Sequence, residues 1–529
     1  MQLLASVALL VLPVYGATIA PTTKDITINV INANVAPDGF VRSAVTANGT
    51  FPGPVITATK GQTLRVTVNN KLTDPTMRRS TSIDFDGVFI DSSDSYDEGS
   101  PFVTTCPFGP GTSYTYTLPL GTQTGTYWYH SQLSLQYLDG LRAPLIIYDP
   151  ADPQAHLYDV DDANTILTVA DWWHNSTVPL LAQYLTNQII PVADAPLFNG
   201  KGRYNGGPIT EFAAVPVTKG LRYRFRLINM SGRSDFMISI DNHTMTVIQA
   251  DGVATQPHTV SQLDMLAGQR YDVVVTANQP IGNYWINTVL GGGNPARNLN
   301  LNVTLGRGIL RYAGAPNAEP QTPMTLGPGT NILVEGDLAP LVPTRPPPVD
   351  INLTFVTSMQ VNASSPSGFN SKWQINNISY VSPVVPTLVK ILNGASSAVD
   401  FNTTENTFVF PANKVIQITF PPSTEDELHP FHLHGNNFWL IKPNATAEND
   451  INPIKRDVAG AGSGGTTVRF VTDRPGPWFF HCHIFWHFNA GLASVLVGGP
   501  DQIRQNVHPT EAWDELCPAY NALPADEKR

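Results

Sequence analysis

The residues of this chain best suited to chemistry are concentrated in the stretch HCHIFWH, residues 481–487. The preceding letters PWFF predict a buried strand that runs into this stretch and ends in a turn. Successive side chains of a strand point to opposite faces, so we expect His481 and His483 to face one way and Cys482 the other. A metal bound by Cys482 would then be joined through the backbone to a second metal site held by the two histidines.

A second histidine-rich stretch, HPFHLH at residues 429–434, lies upstream. Its spacing predicts that the last two histidines share a face, while the first precedes a proline at the strand start. Together, His429, Cys482 and His487 form a two-histidine, one-cysteine set, which is the ligand set of a blue-copper electron-transfer centre. A second site nearby would be formed by the four imidazoles that face the other way: His432, His434, His481 and His483.

Two simpler interpretations compete with this one. A lone histidine is more often a hydrogen-bonded core residue than a ligand, but six histidines and a cysteine in two short segments argue against a purely structural role. A structural zinc site also uses histidine and cysteine, but it binds four ligands, and the available donors exceed that number. The two stretches therefore favour copper and two neighbouring metal sites.

HPFHLHG and HCHIFWH resemble the third and fourth copper motifs of the multicopper oxidases, and are most similar to those of the secreted fungal laccases. Counterparts of the first two motifs are STSIDFDG at residues 80–87 and GTYWYHSQL at residues 125–133. Flanking phrases such as NGTFPGPVI, GLRYRFRLIN and GQRYDVVV match the family in the same order. The resemblance covers nearly the whole mature chain and implies one-electron oxidation of phenols or aromatic amines coupled to O2 reduction.

The resemblance also implies that eight side chains, two from each motif, hold three copper ions, and in the family all eight are histidine. By position, Asp84 and His432 would hold a single copper. A coupled copper pair would be held by the other six: Asp86, His130, Gln132, His434, His481 and His483. Carboxylates suit Mg, Ca or Mn better than copper, and an amide is a weak copper ligand. Asp84, Asp86 and Gln132 are therefore doubtful copper ligands.

Three interpretations of this altered pocket remain open. The two aspartates could hydrogen-bond to histidines in a metal-poor pocket, the cluster could work with aspartate ligands, or the pocket could bind a different metal. The chain would hold up to four copper ions if the cluster works, and one if it does not.

Further departures from the family concern single positions. Phe485 stands where the family commonly has an acid that helps deliver protons, and Arg233 where many laccases have an acid that binds the phenol. Arginine has no acceptor atom, so it cannot take that role, and it could instead be a surface loop charge. Leu492 occupies the axial position of the blue-copper site, where the lack of a donor should raise the reduction potential. Substrate electrons would enter through His487.

The chain has three cysteines. If Cys482 binds copper, Cys106 and Cys517 remain to pair, and secretion permits a disulfide that ties the first region to the C-terminal tail. A second bridge, frequent in the family, would fall at Leu138 and Gly232, so both of its partners are absent together.

The composition fits a secreted β protein. Of 529 residues, 42% are hydrophobic and 14% charged, and 45 prolines and 41 glycines favour strands and turns over long helices. A net charge of -11 argues against nucleic acid and anionic membranes as partners. Residues 1–17 resemble a secretory signal peptide, and no later apolar run is long enough to span a membrane. N-glycosylation sequons begin at Asn48, Asn175, Asn242, Asn352 and Asn402.

Three β-rich regions follow the leader, with predicted limits at residues 18–150, 151–325 and 326–529 and a proline-rich linker near 340–350. The alternating runs predict an all-β fold, and the resemblance implies three cupredoxin-like Greek-key domains, each a β-sandwich or barrel. Because two motifs lie in the first region and two in the third, the second metal site is expected between these regions.

Two functional hypotheses follow, and a third is weaker. The first is a laccase-like oxidase with an altered multi-copper site. The second is a degenerate laccase that keeps only the mononuclear copper and acts as an electron-transfer or binding protein without O2 turnover. The third, a metal-storage or ferroxidase role, would need an acidic cluster beside His487. We adopt the first.

Overall fold

The computed structural model describes residues 22–187, 189–323, 330–361, 369–424 and 427–528. The predicted signal peptide, residues 1–17, lies outside the described residues. Within them, no helix is both long and apolar enough to cross a membrane.

The first region forms two four-stranded sheets, and the alternation expected of a half-buried strand is visible in the first of them. In TLRVTVNN, Leu64, Val66 and Val68 are buried while Arg65 between them is exposed. The strands are β1 (Thr23–Val35), β2 (Arg42–Ala47), β3 (Ile56–Thr59), β4 (Thr63–Asn70), β5 (Ile83–Asp86), β6 (Ser113–Pro119), β7 (Gly125–Ser131) and β8 (Arg142–Tyr148). Their order is β2-β1-β4-β6 in one sheet and β3-β8-β7-β5 in the other, so the two strands that carry motifs one and two, β5 and β7, are neighbours.

The second region pairs a seven-stranded sheet, β11-β10-β9-β13-β18-β15-β16, with a five-stranded sheet, β12-β20-β19-β14-β17. Its strands are β9 (Ile166–Trp172), β10 (Ala195–Phe198), β11 (Lys201–Gly202), β12 (Ala214–Val217), β13 (Arg222–Asn229), β14 (Phe236–Ile240), β15 (Met245–Ala250), β16 (Val253–Val260), β17 (Leu263–Met265), β18 (Arg270–Thr276), β19 (Asn283–Leu290) and β20 (Arg307–Tyr312).

The third region has two five-stranded sheets, β21-β25-β30-β27-β28 and β24-β32-β31-β26-β29, and a separate hairpin of β22 and β23. Its strands are β21 (Ile351–Thr354), β22 (Thr357–Val361), β23 (Phe369–Ile375), β24 (Thr407–Phe410), β25 (Val415–Phe420), β26 (His429–Leu433), β27 (Phe438–Lys442), β28 (Lys455–Arg456), β29 (Val458–Ala461), β30 (Thr466–Val471), β31 (Gly476–Cys482) and β32 (Ala493–Gly498). The adjacent strands β26 and β31 carry motifs three and four.

Helices are short and lie between or after the strands. The α-helices are α1 (Thr177–Asn187), α2 (Thr387–Leu392), α3 (Phe485–Asn489), α4 (Pro500–Asn506), α5 (Glu511–Asp514) and α6 (Leu516–Ala522). Single 3-10 turns occur at Ser92–Asp97, Gln136–Asp139, Ala155–Leu157, Ala163–Thr165, Pro295–Arg297, Val303–Leu305, Glu335–Asp337, Ala398–Asp400 and Thr403–Glu405. The expected all-β class with three cupredoxin-like domains is confirmed. The domain limits stay a prediction.

The buried strand of motif four is followed by a turn, as expected, and this turn is helical. Residues 485–489 form the helical turn α3, closed by the backbone N–H of Ala490, which donates to the carbonyls of Trp486 and His487. Its aromatic side chains Phe485, Trp486 and Phe488 are all buried.

One disulfide, between Cys106 and Cys517, joins the first region to the C-terminal helix α6. The positions of the absent second bridge are also neighbours, because a Cβ added to Gly232 would lie 2.5 Å from the side chain of Leu138. Leu138 is fully buried and fills the space that a bridge would occupy.

This contact predicts a coupled effect of two substitutions. Gly232→Ala alone should lower the free energy of unfolding by about 1–3 kcal/mol through overpacking, and Leu138→Ala alone by about 2–5 kcal/mol through a cavity. In the double variant the new methyl partly fills the cavity, so the loss should be smaller than the sum of the two. Chemical denaturation of the four proteins measures this coupling, and strict additivity would contradict the contact.

Candidate metal centres

Three donor atoms meet where β26, β31 and α3 come together. Sγ of Cys482 lies 3.7 Å from Nδ1 of His429 and 3.9 Å from Nδ1 of His487, and the two nitrogens are 3.2 Å apart. All three side chains are buried. Burial, together with His429 and Arg233, holds the pKa of His487 well below its usual range, which leaves a neutral imidazole with a lone pair for a cation.

The register of two strands sets this geometry. Antiparallel pairing of β26 with β31 places Phe431 opposite Cys482 and His432 opposite His481. Since side chains alternate, the sulfur faces the three-donor group, and the histidines on either side of it reach the opposite side of the sheet. The backbone N–H of Cys482 donates to the carbonyl of Leu492, so the predicted axial residue is a direct neighbour, and it is fully buried.

The second group of donors lies in a buried pocket between the first and third regions. Antiparallel pairing of β5 with β7 brings Asp84 opposite His130 and Asp86 opposite Trp128. All eight side chains predicted for this pocket are buried: Asp84, Asp86, His130, Gln132, His432, His434, His481 and His483. Their distances divide them into three smaller groups.

Asp86, His130 and His483 form the first of these groups. Oδ2 of Asp86 lies 3.0 Å from Nε2 of His483 and 3.6 Å from Nε2 of His130. Among the described residues, Nε2 of His130 has no hydrogen-bond partner although it is buried. Two imidazoles and one carboxylate thus point at a common space.

The second group consists of Gln132, His434 and His481. Nε2 of His434 and Nε2 of His481 are 2.9 Å apart, and the amide nitrogen of Gln132 lies 3.4 Å and 3.1 Å from them. Burial and neighbouring histidines hold the pKa of His481 well below its usual range. Gln132 Oε1 is buried and has no partner among the described residues.

The third group brings Asp84 to His432 and His434. Burial, with the negative charges of Glu98 and Asp86, raises the pKa of Asp84 well above its usual range. Burial lowers the pKa of His432, but Asp86 and Asp457 outweigh it and raise that pKa to about 9. The pKa values of the acid and the imidazole are thus both shifted upward, which favours the protonated form of each.

Carbonyl oxygens fix the orientation of several pocket imidazoles. Nδ1 of His130, His432 and His481 each lies 3.0 Å from a backbone carbonyl, those of Ser131, Asp457 and Cys482 respectively. A carbonyl only accepts, so Nδ1 carries the proton and Nε2 is aimed into the pocket. Nδ1 of His434 instead bonds to the carboxylate of Glu98.

A buried arginine from the second region completes the pocket. The Arg270 guanidinium donates to both carboxylate oxygens of Asp457, at 2.6 and 2.7 Å, and to Oδ1 of Asp86 at 3.2 Å. Burial would raise the pKa of Asp86, but His432, His130, His483 and Arg270 hold it well below its usual range. The pKa of Asp86 is therefore shifted downward while that of Asp84 is shifted upward.

Two glycines allow this close packing. Gly268 has a φ of +85°, and a Cβ there would lie 2.6 Å from Cδ2 of His483. Gly87 has a φ of +82°, and its Cβ would lie 2.0 Å from Nη2 of Arg270. The backbone must approach the pocket at both positions, and a side chain would displace His483 or Arg270.

A cavity of about 670 Å³ lies beside the three-donor group, and Leu428 and Pro430, the neighbours of His429, line it. Arg233 also lines it and pairs with Glu427 at 3.0 Å, so it is not an isolated surface charge. Asp235 lies in the same wall. Burial and the charges of Glu427 and Asp264, opposed by a backbone hydrogen bond and Arg233, raise the pKa of Asp235 to about 6.

Aromatic side chains separate the centres from solvent. Phe485 is buried with its ring centroid 4.4 Å from that of Tyr137 and 5.2 Å from that of His483, so the position of the expected acid is apolar. Trp373 on β23 covers the ligand imidazoles, with its centroid 4.3 Å from His487 and 4.8 Å from His429. His487 is thus nearly inaccessible rather than open at a pocket floor.

Sequence reasoning missed five residues of these centres. They are Glu98, Asp235, Arg270, Trp373 and Asp457. Asp457 follows a Lys-Arg pair before a buried strand, a signal for a buried ion pair, whereas Trp373 and Glu98 reach the centres only through tertiary packing.

Comparisons with known proteins agree with the motifs. Models of the multicopper oxidase family match residues 29–152, 163–315 and 380–502. Laccase-2 of Agaricus bisporus is 43% identical over 517 residues, 96% of each chain. The laccase of Botrytis aclada superposes with a TM-score of 0.83 at 32% identity, covering 95% of this chain and 93% of that chain. Fet3p, a multicopper oxidase that functions in iron import, superposes with a TM-score of 0.82 at 27% identity, covering 94% of this chain and 95% of that chain.

Replacing Arg270 tests the ionic support of the pocket. Arg270→Met would leave Asp86 and Asp457 buried without their counter-charge and should lower the free energy of unfolding by about 3–5 kcal/mol. The matched control is Arg222→Met, which removes an exposed pair with Asp159 from the neighbouring strand and should change stability little. Urea denaturation measures both, and equal effects would contradict this role of Arg270.

Proposed function

Because this chain belongs to the multicopper oxidase family and is a laccase-like, copper-dependent oxidoreductase, we propose that it oxidises phenols or aromatic amines one electron at a time and delivers the electrons to O2. The observation that carries the proposal is the convergence of Cys482, His429 and His487 on one buried point.

These three residues fit a copper ion. A thiolate and two neutral imidazoles are the donor set of blue-copper centres. The Nδ1 atoms of His429 and His487 are 3.2 Å apart, and the pKa of His487 is lowered, so both nitrogens are positioned to bind one cation. Copper held there supplies a one-electron acceptor. Leu492, whose backbone carbonyl accepts from the N–H of Cys482, has no side-chain donor to add to this set, which would favour the reduced ion and a high potential.

The protein itself provides the path from this site to the pocket. Cys482 is bonded through the backbone to His481 and His483, whose imidazoles lie in the pocket. An electron accepted near the sulfur therefore needs no movement of the chain to reach the place where O2 is reduced. The burial of His429, Cys482 and His487 excludes water from the first part of this path.

The cavity beside His429 supports an aromatic substrate. Its volume, about 670 Å³, lies in the range of small-molecule sites. Arg233 cannot accept a phenol proton and is paired with Glu427, but the carboxylate of Asp235 in the same wall can accept one. Trp373 is buried against the ligand imidazoles, so it shields them and a substrate ring would bind in the cavity beside Leu428 and Pro430.

The interdomain pocket does not reproduce the all-imidazole donor set that three copper ions have in the family. Gln132 leaves His434 and His481 with an amide as their third neighbour, and Asp84 and Asp86 add carboxylates. The unpartnered Nε2 atoms of His130 and His432 nonetheless support metal binding in the pocket.

Other parts of the proposal rest on sequence. The leader and the sequons support secretion and N-glycosylation, and the three regions at 18–150, 151–325 and 326–529 are proposed as the domains. A ferroxidase role would need an acidic cluster beside His487, and Glu427 in the cavity wall is instead paired with Arg233.

Replacing the sulfur tests the proposed function. Wild-type protein loaded with copper should show intense visible thiolate-to-copper absorption and consume O2 when a phenol is added. Cys482→Ser should lose the absorption and reduce O2 uptake to background, because serine is a poor copper ligand. It should stay folded, since the disulfide uses other cysteines. Visible spectroscopy, an oxygen electrode and circular dichroism are the measurements, and retained activity would refute the proposal.

Asp235→Asn tests the phenol-binding residue. Above a pH of about 6 the carboxylate is ionised and can accept the phenol hydrogen, so the wild-type KM should fall as pH rises through this range. The variant should have a KM roughly ten- to a hundred-fold higher that no longer changes between pH 5 and 7, as expected for a charge-assisted hydrogen bond worth about 1.5–3 kcal/mol. The visible absorption serves as control, since Asp235 is not a donor of the copper site. Unchanged pH dependence would contradict this role.

A further inference from the structure

Three residues of the pocket, Asp86, His130 and His483, form a two-histidine, one-carboxylate triad. One oxygen of Asp86 faces both imidazoles, at 3.0 Å from Nε2 of His483 and 3.6 Å from Nε2 of His130. All three side chains are buried, at 1% exposure or less. This donor set with open positions is typical of non-haem Fe(II) sites rather than of copper sites.

Outer contacts hold the carboxylate in a ligating orientation. Arg270 donates to Oδ1 of Asp86 at 3.2 Å, which turns Oδ2 toward the two imidazoles. Arg270 is in turn held by both oxygens of Asp457. Such outer partners orient first ligands in metal sites and are part of a built site.

The imidazole of His130 is also prepared for a metal. Its Nδ1 is bonded to the carbonyl of Ser131, which fixes the proton there. Its Nε2 is buried, points at Asp86, and has no hydrogen-bond partner in the part of the chain that the structure describes. A buried acceptor without a partner is costly, and a cation between it and Asp86 would satisfy it.

The triad differs from the rest of the pocket in the nitrogens that face its carboxylate. Oδ2 of Asp86 faces the Nε2 atoms of both imidazoles, whereas the carboxylates of Asp84 and Glu98 lie at Nδ1 of His434. The Nε2 atoms of His434 and His481 face each other at 2.9 Å, so their side of the pocket remains the one suited to copper. Soft donors select Cu(I), whereas carboxylates suit harder ions. Copper in its reduced state is therefore expected to prefer the sulfur site and the His434–His481 side.

We propose that the Asp86–His130–His483 triad binds a hard first-row divalent ion of the Fe(II) type, which makes the interdomain pocket a mixed-metal site. This goes beyond the proposed oxidase function and rests only on the pocket being a metal site. It also gives Asp86 a role that the plain ion pair with Arg270 does not require.

Metal competition tests the proposal. Metal-free full-length protein is incubated without oxygen with equal amounts of Cu(I) and Fe(II), desalted, and measured by elemental mass spectrometry. Copper is offered as Cu(I) because among divalent ions copper outcompetes iron at almost any nitrogen or oxygen site. The wild type should retain about one iron ion per chain besides copper.

Two variants assign the iron to the triad. In Asp86→Asn the amount of iron retained per chain should fall at least ten-fold. In Asp86→His an additional copper ion should replace the iron, because a third imidazole suits copper. The matched control is Glu98→Gln, a buried carboxylate that bonds to Nδ1 of His434 outside the triad, which should retain the iron. The visible absorption of the Cys482 copper after exposure to air reports that each variant is folded.

The outcomes separate the two proposals. Copper in place of iron in the wild type, or iron retained equally by Asp86→Asn, overturns the mixed-metal site while the visible absorption stays. Absence of that absorption in the wild type overturns the copper site of Cys482 instead. Iron lost from Glu98→Gln as well as from Asp86→Asn would also overturn the assignment to the triad.

Discussion

A single buried guanidinium joins the three regions of the molecule at its metal pocket. Arg270 begins β18 in the second region, pairs with Asp457 before β29 in the third, and reaches Asp86 at the end of β5 in the first. Each of these groups would be costly to bury alone, so their burial is tolerable only when all three regions are docked. Formation of the pocket and docking of the three regions therefore depend on each other.

The second constraint is strand alternation at Cys482. Because β31 is fully buried on both faces, its sulfur and its neighbouring imidazoles can serve two centres without any loop between them. The pairing of β26 with β31 supplies His429 to one centre and His432 and His434 to the other. Two short segments therefore provide most of the donors. The rest of the chain holds these donors in place, shields them from solvent and shifts their pKa values.

Much of this was accessible from sequence because it depends on local patterns. The period of two in motifs three and four predicted which side chains share a face, and the four motifs indicated the family and the three-domain fold. The contacts that could not be predicted join residues that are far apart in the sequence. Glu98 reaches His434, and Trp373 reaches His487, only through tertiary packing. The helical form of the turn α3 was missed because its aromatic residues are equally compatible with a strand end.

The disulfide between Cys106 and Cys517 closes a covalent ring across a sequence separation of 411 residues. The second region and the third region up to Cys517 lie within this ring, whereas Asp84 and Asp86 lie on the N-terminal arm outside it. A protease that cuts one exposed loop of the ring would therefore open a circle rather than divide the molecule. Fragments on both sides of such a cut would remain one particle in an oxidising environment, still holding His429 beside Cys482.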